Sequence, residues 1–448
     1  MVTSGVCWAW LFDGFLGAEL SPAAAFGSPV PFAIFRSGLL GMSMIRQAVI
    51  LVGGFGTRLR ALGLDCPKPL AEIAGRPFVE HVIRHLARFG VSEIVLVAGY
   101  KGDMVRDRYD GRTLFGAKLR VAIEAVPMGT GGALTVVDGL DDVFLVSNGD
   151  SLFDADLVGF LTKPLADCSA GRVLLREIED GSRYGAVSVG PDGLVVAFDE
   201  KREGSGRQLI NAGVYVLRRD AVAATIRNEP TSIERDVFPT WVADRRLEAV
   251  QAQGYFIDIG LPETFEQAGR ELLSVVTAPA AFLDRDGVIN VDADGYSHRP
   301  ERLAFTPTAV EGIRQLNKAG FYVIVVTNQA GIAKGHYTEA DMHDFHAEIQ
   351  RRLMSQDAHI DAFYHCPYHP EGTVEVFRED HADRKPRPGM ILRALADWPI
   401  RTEGSFLIGD RSSDLEAAAG AGLPGVLVTS DICDLKAVAE SQILLQRG

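Results

Sequence analysis

Val52-Gly53-Gly54-Phe55-Gly56-Thr57-Arg58-Leu59 closes one apolar run and opens a helical pattern; Leu283-Asp284-Arg285-Asp286-Gly287 stands in the same position in a second series. Before the first stretch, Ala48–Val52 reads as a buried strand. Phe78–Phe89 then reads as a helix, Ile94–Ala98 as a strand, and Val143–Val146 as a strand ending at Asn148-Gly149-Asp150. Short apolar runs separated by helices predict a parallel sheet covered on both faces. Strands at Val173–Glu177, Ala186–Val189 and Val214–Leu217 follow more closely and predict an antiparallel addition near a substrate pocket. Around the second stretch, Ala281–Leu283, Phe321–Val326 and Ser405–Ile408 read as strands ending at Asp284, Thr327 and Gly409-Asp410. The expectation is two α/β domains in series, over residues 44–274 and 281–448, joined by a linker at 275–280. Each half is expected to work alone if the chain is cut near Thr277. A chain of 448 residues is long enough to bury two cores.

Residues 1–43 fit neither series. Val6–Leu20 is apolar but carries Asp13 and Glu19, and no Lys or Arg precedes Arg36. The positive n-region of a secretory signal is therefore missing, and the segment reads as a disordered or non-native extension. The 45 Lys and Arg against 59 Asp and Glu leave a net charge of -14. That balance argues against a nucleic-acid partner and an anionic membrane surface. It leaves phosphorylated small molecules open, because a few local cations hold those. No run of 18 uncharged apolar residues occurs, so no membrane-spanning helix is expected. The five cysteines are scattered without a CxxC pair, which fits a reducing cytoplasm rather than a disulfide framework.

The first glycine-rich turn has a bland reading, a tight strand-to-helix connection, and a chemical one, an anion cradle of backbone N–H groups at a helix start. It lacks the third glycine of a dinucleotide loop and the GxxxxGK of a Walker loop. Arg58 could grip phosphate oxygens in bidentate fashion. Cys66-Pro67-Lys68-Pro69-Leu70 then fixes a lysine between two prolines. Taken alone, Asp150 could be a helix N-cap and Lys201 a solvated charge. Together, GGFGTRLR and PKPL resemble the sugar-1-phosphate nucleotidyltransferases, over roughly residues 45–270. The resemblance makes Gly53, Gly54, Gly56, Thr57, Arg58 and Lys68 the nucleotide side of the site. Glu124 and the loop from Pro127 through Gly129 to Ala133 would face base and sugar. Lys201 would hold the sugar phosphate, Asn211 and Gly213 would contact the sugar, and Asp150 and Asp258 would hold Mg²⁺.

In the second series, the DxD pair Asp284/Asp286 lies at a strand end, facing the crevice where open α/β sheets bind ligands. With Thr327-Asn328-Gln329, Arg384-Lys385-Pro386 and Gly409-Asp410-Arg411-Ser412-Ser413-Asp414, it resembles the four motifs of the haloacid-dehalogenase (HAD) phosphatases. The resemblance implies Asp284 as nucleophile and Asp286 as general acid and base. Thr327, Asn328, Arg384 and Lys385 would bind substrate, and Asp284, Asp286, Asp410 and Asp414 would surround Mg²⁺. The stretches DRDGVINVDADGY, TNQAGIAKG and YHCPYHPEG narrow the likeness to heptose-1,7-bisphosphate phosphatases, with histidinol-phosphate phosphatases as close relatives. Those families usually carry a Zn²⁺ on CxH and CxC pairs. Here only Cys366, His369, His381 and Asp383 stand near those positions, a set short of soft ligands, so a tight Zn²⁺ site is not expected.

The two resemblances together imply two Rossmann-like domains, the first GT-A-like and the second HAD-like. They imply removal of the 7-phosphate from a heptose bisphosphate, then nucleotidyl transfer from an NTP, GTP by likeness, to the heptose 1-phosphate. A mannose-type nucleotidyltransferase fused to another phosphatase, or one domain kept only for binding or assembly, are the alternatives. Homo-oligomerisation stays open.

Overall fold

The strand Gln47–Leu51 is buried up to Ile50 and half-buried at Leu51, with Ala48 and Ile50 in one apolar cluster and Val49 in another. Side chains alternate between sheet faces, so this strand needs cover on both sides. It pairs in parallel with Glu93–Ala98 on one edge and with Val143–Asn148 on the other. Glu93–Ala98 pairs in parallel with Ala117–Ile123. The chain thus builds outward from one side of the first strand and then returns to its other side. The reversal opens a crevice beyond the strand ends, where sheets of this kind bind ligands. Gly53, Gly54 and Asn148-Gly149-Asp150 stand at those ends. The computed structural model describes residues 44–54, 65–179, 186–199, 206–227, 229–292, 295–429 and 434–446. The N-terminal extension and, of the expected site residues, Gly56, Thr57, Arg58 and Lys201 lie outside that set.

The antiparallel addition is present. Gln208–Arg218 runs antiparallel to Val143–Asn148, Gly171–Ile178 and Ala186–Val189, within a ten-stranded sheet. Ser151–Ala155 leaves that sheet and forms a separate antiparallel ladder with Gly254–Asp258.

The helix Pro262–Val276 ends the first series, and Ala280–Leu283 starts the second. Ala280–Leu283 is the middle of five parallel strands, between Tyr322–Asn328 and Phe406–Gly409; Ala362–Cys366 and Gly425–Leu427 form the edges. Ala281 and Leu283 enter one cluster, Ala280 and Phe282 the other. Both domains are therefore α/β, as expected. No described helix is long and apolar enough to cross a membrane.

All described residues belong to one compact unit, and the helix Phe78–Arg88 shows how. Its apolar side, Phe78, Val79, Val82, Ile83 and Leu86, is buried in the first core. Its polar stripe is buried as well, with Glu80, His81, Arg84 and His85 all under 9% exposed. At its end, Arg88 Nε donates to Asp361 Oδ1 at 2.6 Å, and Arg88 also lies 3.4 Å from Asp154. Asp361 belongs to the second domain, is fully buried, and accepts Val323 N at 2.7 Å. Further contacts cross the same boundary: Arg76 donates to the carbonyls of Ala396 and Asp397, and Phe115 meets Trp398 edge-on at 5.8 Å.

Candidate active sites

In the first crevice the glycines make room for other groups. A Cβ on Gly53 would stand 2.6 Å from Glu124 Oε2, and one on Gly99 would stand 3.0 Å from it. Glu124 thus inserts one carboxylate oxygen between two backbone segments, while its Oε1 accepts Met128 N at 3.1 Å. Burial raises the Glu124 pKa against the pull of that N–H. Gly129 has φ +72°, and a Cβ there would meet Thr231 O at 2.6 Å, so only glycine fits. The N–H groups of Gly131 and Gly132 are spent on Thr231 O, at 2.8 and 3.2 Å.

Asn211 and Gly213 form one turn. Asn211 Oδ1 accepts Gly213 N, its Nδ2 donates to Tyr215 Oη, and that hydroxyl donates on to Glu234. Glu234 also receives Thr130 Oγ1 and Ser232 Oγ. Tyr215 and Glu234 carried no sequence signal that assigned them here. They connect the expected sugar-contacting turn to the loop after Glu124.

The ladder between Ser151–Ala155 and Gly254–Asp258 sets Asp258 opposite Ser151 and brings Asp150 beside it. Lys68 Nζ lies between the two carboxylates, 2.5 Å from Asp150 Oδ2 and 3.5 Å from Asp258 Oδ1. Lys68 was expected on the triphosphate; the structure gives its ammonium to the metal-candidate pair. Burial, and then the neighbouring Asp150 charge, raise the Asp258 pKa; Lys68 pulls it back. Two carboxylates sharing a cation are a hard-oxygen donor set, and Mg²⁺ fits it.

In the second crevice Asp284 follows its strand directly, with Asp284 N bonded to Ile408 O. Lys385 Nζ, 3% exposed, touches Asp284 Oδ1 at 2.8 Å, Asp414 Oδ1 at 2.6 Å and Val326 O at 2.8 Å. Burial holds the Asp284 carboxyl up at about 6, with Lys385 opposing. Asp284, Asp410 and Asp414 offer oxygens within 4.8 Å of one another. Asp410 Oδ1 is buried without a hydrogen-bond partner. A buried, unsatisfied carboxylate oxygen in such a cluster fits a divalent cation. Asp286 faces the other way. Its Oδ1 receives Arg285 Nε and Asn290 Nδ2, and its Oδ2 receives an Arg285 Nη and Gln329 Nε2, all at 2.7–3.0 Å. It therefore stands apart from the three converging carboxylates with which it was grouped as a metal ligand. Asn328 was expected on substrate. Its side chain instead brackets the backbone of Lys385, donating to Lys385 O and accepting Lys385 N, both at 3.0 Å. Arg384 reaches Tyr368 O, and Thr327 is buried with its hydroxyl accepting Gln329 Nε2.

The four residues near the usual Zn²⁺ positions do not converge. His381 stacks on Tyr368 at 4.3 Å and accepts Asp383 N. Asp383 pairs with Arg393 at 3.0 Å, and His369 accepts Glu371 N. Burial raises the Cys366 thiol, which points at Tyr368 O. This set does not fit a tetrahedral soft-metal site.

The nucleotidyl transferase family profile matches residues 47–275, and a HAD-hydrolase-like profile matches residues 382–444. A D-glycero-beta-D-manno-heptose-1,7-bisphosphate 7-phosphatase from Rhodopseudomonas palustris is 45% identical over 168 residues, covering 38% of this chain and 91% of the relative. A D-glycero-alpha-D-manno-heptose 1-phosphate guanylyltransferase from Campylobacter jejuni is 35% identical over 223 residues, 49% of this chain and 96% of the relative. A mannose-1-phosphate guanylyltransferase from Mycobacterium tuberculosis is 33% identical over 268 residues, 59% of this chain and 74% of the relative.

Proposed function

We propose that this chain, which belongs to the nucleotidyl transferase family and carries a HAD-family phosphatase as its second domain, performs two successive steps on one sugar. The phosphatase removes the 7-phosphate of D-glycero-D-manno-heptose 1,7-bisphosphate. The nucleotidyltransferase then joins a nucleotidyl group, GMP from GTP, to the heptose 1-phosphate and releases pyrophosphate. One observation carries the reading: the two halves of a single chain align with relatives named a heptose-1,7-bisphosphate 7-phosphatase and a heptose 1-phosphate guanylyltransferase. Nucleoside triphosphates and sugar phosphates are cytoplasmic metabolites, and the reactions belong there.

In the phosphatase, the Asp284 carboxylate attacks phosphorus, the bond to O7 breaks, and Asp286 gives O7 its proton. Asp286 then takes a proton from water, which attacks the aspartyl-phosphate and frees phosphate. Lys385, 2.8 Å from the nucleophile, and Thr327 hold the phosphoryl oxygens. In the transferase, a 1-phosphate oxygen attacks the α-phosphorus and pyrophosphate departs, so no protein nucleophile is needed. Arg58 and Lys201 screen the triphosphate and the sugar phosphate. Mg²⁺, held by Asp284, Asp410 and Asp414 in one site and by Asp150 and Asp258 in the other, would supply the charge that lets two anions approach.

The relatives' names differ in anomer, beta for the phosphatase and alpha for the transferase; a coupled sequence needs one anomer to serve both sites. The likeness to a mannose-1-phosphate guanylyltransferase favours a second reading of the first domain. The test offers each anomer of the bisphosphate with Mg²⁺ and each NTP in turn, with mannose 1-phosphate in parallel. Phosphate and pyrophosphate are measured together. Release of the 1-phosphate, or pyrophosphate release with mannose 1-phosphate alone, would overturn the heptose reading.

A further inference from the structure

We propose that Gln329, locked by Tyr337, is the positioning residue that sets the proton donor Asp286 against the phosphoryl-binding Thr327. The inference rests on the reading of Asp286 as the acid for the leaving alcohol.

Gln329 follows the strand Tyr322–Asn328 and is 1% exposed. Its Nε2 makes two bonds, to Asp286 Oδ2 at 3.0 Å and to Thr327 Oγ1 at 2.8 Å. Its Oε1 accepts Tyr337 Oη at 2.6 Å. Chemistry fixes the amide's orientation. Turned over, it would set a carbonyl oxygen against the ionised Asp286 carboxylate, which accepts only. Among the donors to Asp286, Arg285 is its sequence neighbour and Asn290 is four residues on. Gln329 comes from the next strand, and it is the member that also touches Thr327. The spacing between donated proton and held phosphoryl group therefore depends on this one amide.

The clamp on the amide is itself built in. Tyr337 is 7% exposed and stacks on His298 with centroids 4.6 Å apart and planes 8° from parallel. A Cβ on Gly331 would lie 2.2 Å from Tyr337 Cε1, so the glycine is the space in which the ring sits. A glutamine amide held at both ends and buried gains rigidity, and misplacing a catalytic group by even an ångström is costly. Filling space would need no hydrogen bond at all three polar positions.

The test compares two substrates. A primary alkyl phosphate needs its leaving oxygen protonated; 4-nitrophenyl phosphate leaves as a stable phenolate and does not. The full-length chain with Mg²⁺ is assayed as wild type, Gln329→Leu, Gln329→Glu, Tyr337→Phe and Asp286→Asn. Asp286→Asn should lower alkyl-phosphate kcat by roughly 10²–10⁴-fold while sparing the aryl phosphate far more. Both Gln329 variants should follow the same pattern at roughly 10–100-fold, in kcat rather than KM, and Tyr337→Phe at several-fold. Tyr337→Phe removes a single hydroxyl and keeps the ring, so it covers the case in which the Gln329 variants fail to fold. If Asp286→Asn is selective for the alkyl substrate and the Gln329 and Tyr337 variants are not, the positioning role is wrong and the acid assignment stands. If Asp286→Asn loses both substrates equally, the acid assignment falls and the positioning role falls with it.

Discussion

Replacing Arg88 by Met should weaken the whole molecule, although its side chain bonds to Asp361 and Asp154 and not to either candidate aspartate pair. The methionine keeps the stem that covers the Tyr322 ring, over which the guanidinium sits at 4.9 Å. It removes the charge bonded to Asp361 at 2.6 Å. Asp361 is fully buried, and its remaining partners are Val323 N at 2.7 Å and His359 at 3.5 Å. Stripping one partner from a buried ion pair costs about 3–5 kcal/mol; the surviving N–H bond places this case near the lower end. Asp361→Asn should cost less, because Arg88 is 19% exposed and keeps Asp154 at 3.4 Å. Burial acts to raise the Asp361 pKa, but Arg88 and His359 outweigh it and the net shift is downward. The pair's contribution is therefore full above the unfolded carboxylate range and is lost as pH falls through the folded value. The assay is urea unfolding followed by tryptophan fluorescence, on a double-mutant cycle of Arg88→Met and Asp361→Asn. The expected coupling exceeds about 1 kcal/mol, within the range for contacting residues. The single mutants should also separate one transition into two, since the domains lose a mutual support. A coupling near zero, with Arg88→Met costing under about 1 kcal/mol, would refute the reasoning.

Asp150→Asn should abolish pyrophosphate release and leave phosphatase turnover intact; loss of both activities would mean that the sites are not separable. Asp410→Asn should do the reverse, and calorimetric titration with Mn²⁺ should lose the phosphatase-site binding event. His81 donates from Nε2 to Ile73 O at 2.9 Å and accepts Arg84 at Nδ1. Burial, then Arg84, hold its pKa down at about 4 against a usual 6.5. A depressed pKa means the neutral form's stabilisation is present above 6.5 and is lost as pH falls towards 4, about 3 kcal/mol in all. His81→Gln should flatten that limb of the stability profile measured by thermal melts. Cutting the chain between Thr277 and Pro279 should give halves that each keep their own activity, at reduced melting temperature because the cut frees Arg88 from Asp361.

Much of this was readable from residue type and position. Glycines and aspartates at the ends of apolar runs marked both crevices, because only the end of a parallel strand offers free backbone and open space together. The helix Phe78–Arg88 shows the limit. Its apolar positions are spaced to cover a sheet, and the other positions look like a solvated stripe. Within the first domain Glu80 pairs with Arg108 and Tyr109, His81 bonds to Ile73 O and His85 meets Asp154, while Arg88 at the helix end meets Asp361 of the second domain; no periodicity within one helix encodes such partners. Asn328 shows another limit. Lying in the motif put it on the substrate by expectation, whereas its amide faces the Lys385 backbone. Likewise, Lys68 was legible as a fixed cation but not as the neighbour of Asp150, since that depends on a ladder closed by residues more than a hundred positions apart.

The Arg88–Asp361 pair also has a history within each round of synthesis. The partners are 273 residues apart in sequence. On a ribosome adding about 5–20 residues per second, Arg88 is synthesised roughly 14–55 s before Asp361. The strands and ladder of the nucleotidyltransferase are all translated before the first phosphatase strand at Ala280. The first domain can therefore close early, with Arg88 at the end of the helix Phe78–Arg88 still wet. A charged Arg88 keeps that end of the helix hydrated, where an apolar residue would have added to a surface open to aggregation. The charge that binds Asp361 in the finished molecule is thus the one that keeps the unfinished first domain's helix end in water.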